Sequence, residues 1–189
     1  MSDARCALLI LGLGNLLCGD DGAGVVAVEQ LERDFVAPEG VLLLDGGTLG
    51  LSLLPHLENA ERVILVDALA ASEPVGTVLS IRGDAVANAS MKRLSPHQIG
   101  VADLLTGALL RGHLPPEIRL IGVVPENTEL GLGLSPEVLR AIPVLVKRVV
   151  EEAAALGHPF EPRGEHAHTR PDQSSAPRVA RLVGALGGR

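Results

Sequence analysis

Aromatic residues are almost missing from this chain of 189 residues: Phe35 and Phe160 are the only two, with no Tyr and no Trp. That argues against modules that grip single-stranded nucleic acid by stacking bases on rings. Basic residues are in deficit, 16 Lys+Arg against 23 Asp+Glu, for a net charge of −7. An acidic surface does not suit the phosphate backbone of a nucleic acid or an anionic membrane. Two cysteines, Cys6 and Cys18, cannot make a disulfide framework, and a reducing cytoplasm is the simplest home. No segment approaches the ~20 apolar residues of a membrane-spanning helix. The longest apolar run, from Cys6 to Leu17, is broken by Gly12, Gly14 and Asn15. It lacks a basic flank and a small-x-small cleavage site, so it reads as a buried strand entering a glycine loop rather than a signal peptide.

What the chain does have is a large apolar fraction, 47% of its residues, enough for one substantial core. Composition changes near Gly157. Residues 158–189 hold four prolines, three histidines and five arginines, and read as a disordered tail of net charge +2. Residues 1–157 read as a single domain with 11 basic and 20 acidic residues, net −9.

Within that domain apolar runs alternate with amphipathic stretches. Ala7–Leu11, Val41–Leu44, Arg62–Val66, Thr77–Ile81 and Arg119–Val124 read as strands. Asp20 or Asp21 can cap a helix reaching about Asp34, with Val25, Val28, Leu31 and Phe35 on one face. A short helix is expected around Leu51–Glu58. Ser95-Pro96 opens another, with Ile99, Ala102, Leu105 and Leu109 as its buried stripe. Ser135-Pro136-Glu137 opens the last, with Val138, Ile142, Leu145 and Val149 inward and Pro143 as a kink. The expected fold is α/β: a twisted, mostly parallel five-stranded sheet between helices. The connection from Ala68 to Gly76 is short for a parallel crossover, so the fourth strand is expected antiparallel at an edge.

In such a sheet ligands gather beyond the carboxyl ends of the strands. Asp20 and Asp21 follow the first strand, Asp45 ends the second, Asp67 ends the third, and His97 sits in the first turn of the helix opened by Ser95. Carboxylates with an imidazole suit a divalent ion of the Zn, Ni or Mn kind. Each of these aspartates taken alone is better explained as a cap or turn former, and His97 as a polar residue at a helix start. His56 and His113 fall outside the cluster. The run Gly12-Leu13-Gly14-Asn15-Leu16-Leu17 lacks the last glycine of a dinucleotide fingerprint, and the acidic pair behind it would repel a pyrophosphate.

Three segments in register carry a family resemblance: Gly12-Leu-Gly-Asn-Leu-Leu-Cys-Gly-Asp-Asp-Gly-Ala-Gly24, Asp45-Gly-Gly-Thr-Leu-Gly50 and Ser95-Pro-His-Gln-Ile-Gly100, with Val66-Asp67-Ala68 between them. Together they resemble the [NiFe]-hydrogenase maturation endopeptidases over about residues 7–155. The resemblance implies a metal-binding triad at Asp21, Asp67 and His97, the same residues being catalytic, with a glutamate replacing the first acid in some members. It implies that Asp45 and Gly46 shape the substrate cleft. It implies an endopeptidase that removes a short C-terminal peptide from the nickel-loaded precursor of a hydrogenase large subunit. The nickel would be carried by the substrate, though other divalent ions could occupy the site, and the enzyme would be a monomer. Asp20 or Asp45 could then act as general base. Two alternatives stay open: a nickel-dependent chaperone that holds the precursor without cutting, and an α/β hydrolase of the peptidyl-tRNA hydrolase type, which also begins with Gly-Leu-Gly-Asn.

Overall fold

The structure, a computed structural model, describes residues 5–83, 85–86 and 101–164. Five strands form the main sheet: β1 (Leu8–Leu13), β3 (Val41–Gly47), β4 (Arg62–Ala68), β5 (Val78–Arg82) and β6 (Glu117–Val123). Their order is β3-β1-β4-β6-β5, all parallel except β5, which runs antiparallel to β6 at the edge. The short connection after β4 is the cause, since it has no room for a crossover helix. The architecture expected from the sequence is the one observed.

Every residue of β1 is buried, because helices cover both faces of the sheet. Alternate side chains therefore feed two cores. Leu8, Ile10, Ile64, Val66, Ile121 and Val123 pack against α1 (Ala23–Asp34) and α4 (Pro136–Ala155). Leu9, Leu11, Val63, Leu65 and Leu120 pack against α2 (Leu54–Glu58) and α3 (Val101–Leu110). The α4 stripe is the one expected, as are Val25, Val28 and Leu31 on α1, and Ser135 caps α4 by accepting from the Val138 N–H. Helix α4 continues through Pro143, which lies on its exposed side.

Four expectations need correction. Helix α1 follows Gly22 as its N-cap, and neither Asp20 nor Asp21 caps it. The buried face of α3 is Val101, Leu104, Leu105 and Ala108, an i, i+3, i+4, i+7 stripe, and Leu109 is 62% exposed. The packed body also continues past Gly157. A small sheet pairs β2 (Phe35–Val36) with β7 (Glu161–Pro162), and Phe160 is buried edge-on against Phe35. The burial of that one ring is what draws residues 158–162 onto the body. Residues 165–189 of the expected tail lie outside the described residues, as do Ser95, Pro96 and His97. Finally, Phe35 belongs to β2 rather than to the α1 face.

A buried ionic network ties the antiparallel edge to α4. Glu152 accepts from Ser80 (2.9 Å), from Arg82 (2.7 Å) and from Arg119 (2.5 Å), and both Glu152 and Arg119 are buried. Burial alone would raise the Glu152 pKa, but these donors outweigh it and hold it below its ordinary value.

Candidate active site

The strand order places a switch point between β1 and β4. From β1 the chain goes first to β3 on one side, then returns to β4 on the other. At such a point the loops leaving the two strands diverge and open a crevice at their carboxyl ends. Asp67 ends β4 there, and Asp21 lies in the 3-10 turn Gly19–Gly22 that follows β1.

Two glycines bring that turn onto the sheet. Gly14 has φ +119°, and a Cβ on it would lie 1.7 Å from the Asp21 carbonyl oxygen. A Cβ on Gly24 would lie 2.1 Å from the Val66 carbonyl oxygen. Without side chains at 14 and 24, the turn and the start of α1 press directly against the end of β4. Asp21 is thereby buried, and its Oδ2 accepts the Asn15 N–H at 2.8 Å.

Asp67 keeps only part of its surface open to solvent, and its Oδ1 accepts the Ala68 N–H at 2.8 Å. Loss of hydration pushes its pKa up to about 7, opposed by the Ala68 N–H and reinforced by the negative charge of Asp21. Two poorly hydrated carboxylates of like charge favour taking up a proton or a cation. An acid balanced near neutrality is also suited to moving a proton.

The other expected site residues lie differently. Asp20 is buried, and three backbone N–H groups occupy its oxygens: Glu126 (2.8 Å) and Asn127 (3.2 Å) on Oδ2, Ser135 (2.6 Å) on Oδ1. Its carboxylate is a clamp on the loop between β6 and α4. Asp45 faces the other side of the sheet. The pleat puts it with Val41 and Leu43, which pack on the α1 core, and its charge raises the pKa of Glu29 on α1 after burial, the larger cause. Asp45's own pKa is raised by burial, against the Gly47 N–H, and its Oδ1 is buried with no hydrogen-bond partner among the described residues. Gly46 faces Leu11, Leu13 and Leu53, where a Cβ would collide at 2.7 Å with Leu11. Cys18 accepts a hydrogen bond from the Asn15 side chain at 3.2 Å. His56 is on α2 and the exposed His113 follows α3, both away from the crevice. Among the described residues no group of three His, Cys, Asp or Glu is placed to hold a metal ion. The acid pair supplies two donors, and the expected third, His97, lies outside the described residues.

Sequence reasoning missed that the loop between β6 and α4 is bonded to the turn that carries Asp21. Its signal is the turn-rich run Asn127–Gly133 just before Ser135-Pro136.

An open α/β sheet with an acid pair at its switch point is the frame of a ligand-binding or catalytic α/β protein. A family model for hydrogenase maturation proteases matches residues 25–152. The Hydrogenase 2 maturation protease of Escherichia coli is 36% identical over 157 residues, 82% of this chain and 96% of that protein. The hydrogenase expression/formation protein HupD of Rhodobacter capsulatus is 41% identical over 152 residues, 79% of this chain and 72% of that protein. Among solved structures, the hydrogenase maturating endopeptidase HybD from E. coli superposes with a TM-score of 0.78 at 35% identity, covering 83% of this chain and 98% of that one. The chain belongs to the hydrogenase maturation protease family.

Proposed function

We propose that this protein removes a short C-terminal peptide from the nickel-loaded precursor of a [NiFe]-hydrogenase large subunit. The observation that carries the reading is the acid pair at the switch point, buried Asp21 beside the partly exposed Asp67, in a chain of this family. A cation on the substrate would relieve the repulsion of the pair, and the resemblance adds His97 as third donor. Nickel is in this reading part of the substrate, and other divalent ions could take the same place. Such an ion polarises a carbonyl and acidifies water near it.

The chain's own residues do the rest. Asp21 is anchored on one oxygen by the Asn15 N–H. Asp67, near pKa 7, can exchange its proton for the substrate's cation without a large penalty. Asp20 is committed to three backbone donors, and Asp45 faces the opposite side of the sheet, so neither is well placed as a general base. We place the protein in the cytoplasm as a monomer, with the precursor as its partner and no nucleic acid. Two free cysteines accord with that compartment, and no helix among the described residues is long and apolar enough to cross a membrane.

The test is intact-mass analysis of the precursor, nickel-loaded and nickel-free, before and after incubation with the protein. Loss of one defined C-terminal peptide from the loaded form alone is expected. Equal cleavage of both forms would remove nickel from the reading, and a nickel-dependent complex without cleavage would establish a chaperone instead.

A further inference from the structure

Two exposed leucine pairs lie on two loops that are bonded to each other, one of which leads into Asp21. Leu16 and Leu17 follow β1 and are 44% and 58% exposed, and Leu130 and Leu132 follow β6 and are 89% and 85% exposed. The loops are laced together. Gly19 N–H donates to the Gly131 carbonyl (2.8 Å), Gly131 N–H to the Leu17 carbonyl (2.9 Å), and Asp20 N–H to the Asn127 carbonyl (2.9 Å). The Asp20 carboxylate closes the arrangement from below by accepting the three N–H groups at Glu126, Asn127 and Ser135. The residue after Asp20 is Asp21.

The bonds to Asp20 and between the two loops fix the backbone that carries these four exposed leucines. Rigid exposed apolar patches mark sites of protein contact. We propose that Leu16, Leu17, Leu130 and Leu132 form the docking surface for the hydrogenase large-subunit precursor. An apolar face of the precursor would rest on these leucines and deliver its scissile segment to the crevice beside Asp21. This rests on the proposed function and names the surface that function uses.

Size and charge favour this occupant over a second copy of the chain. The four leucines expose a few hundred square ångströms, well short of the ~800 Å² each partner buries in a long-lived complex. A substrate that must leave after cleavage fits so small a contact. The exposed carboxylates Glu126 and Glu129 border the patch, so two copies would meet with like charges, whereas a partner with basic residues around its apolar face would be complementary.

The experiment compares the unaltered protein with Leu130→Ser/Leu132→Ser on nickel-loaded precursor, measuring kcat and KM by intact mass. Melting temperature and sedimentation are recorded on both proteins. Both leucines are largely solvent-exposed, so the melting temperature should hold. KM is expected to rise roughly tenfold or more while kcat stays within about twofold. An unchanged KM with normal cleavage overturns the docking surface and leaves the proposed function standing. A concentration-dependent dimer that the substitutions abolish assigns the patch to a second copy and overturns it as well. If the unaltered protein neither cuts nor binds the precursor, the proposed function and the docking surface fall together.

Discussion

Replacing Asp20 by Ala would remove one buried carboxylate and leave three backbone N–H groups without their acceptor, those of Glu126, Asn127 and Ser135. Hydrogen bonds to a charged group contribute about 1.5–3 kcal/mol each. The sum is reduced because three donors share two oxygens and the carboxylate was itself desolvated on folding. The expected loss is therefore about 3–5 kcal/mol, a large part of the stability of an ordinary domain. For a chain of this size that lowers the melting temperature by on the order of 10 °C. The loop from β6 to α4 should also become accessible to limited proteolysis below the melting transition, since Asp20 holds both of its ends. Thermal unfolding followed by circular dichroism gives the first number, and mass mapping of early cleavage sites gives the second. Asp20→Ala folding as stably as the unaltered protein, with cleavage between residues 126 and 134 unchanged, would refute the clamp. Wild-type stability with activity lost would mark Asp20 as a chemical group instead.

Asp67→Asn should act in the opposite direction on stability. Asp67 titrates near 7 in the fold against 3.8 as reference, so the metal-free fold binds the extra proton between those values and loses stability as pH rises through 7. Allowing for its partial exposure, the substitution should stabilise the metal-free protein by about 2 kcal/mol at pH 8 and little at pH 4, while activity disappears; a less stable variant at pH 8 would contradict the pair. Glu152 is held below its reference value of 4.5, so its network stabilises fully above that pH and the contribution fades as pH falls through the folded value. Arg82, the largest of the groups that lower it, is the residue to change: Arg82→Met should remove much of the acid-side dependence of stability, measured by denaturant titration between pH 3 and 6, and an unchanged profile would show that the network is not its source. Phe160→Ala should cost about 3 kcal/mol in denaturant unfolding, because the ring is buried against Phe35; a neutral result would restore Gly157 as the end of the packed body.

The fold was legible where burial dictates composition. Strands β1 and β4 are continuous apolar runs because helices cover both of their faces, and Gly or Asp ends each one. The antiparallel edge at β5 followed from chain length alone. The two-residue pairing of β2 with β7 was not legible, because pairs that short leave no period and join positions far apart in sequence. The α3 stripe was misplaced because seven of the ten residues from Val101 to Leu110 are apolar, so the pattern does not single out one face. In the site, position at strand ends selected Asp20, Asp21, Asp45 and Asp67 without ranking them. The ranking needs contacts: Asp20 differs from Asp21 by backbone donors 106 to 115 residues away, and Asp45 differs from Asp67 by which way the pleat turns it.

The most direct test of the central claim is cleavage of the nickel-loaded precursor by Asp21→Ala and Asp67→Ala, each first shown to melt within a few degrees of the unaltered protein. Intact mass reads the product. The acid pair predicts release of the C-terminal peptide by the unaltered protein and none by either variant over the same time. Full release by either variant would contradict the assignment of the site to that pair.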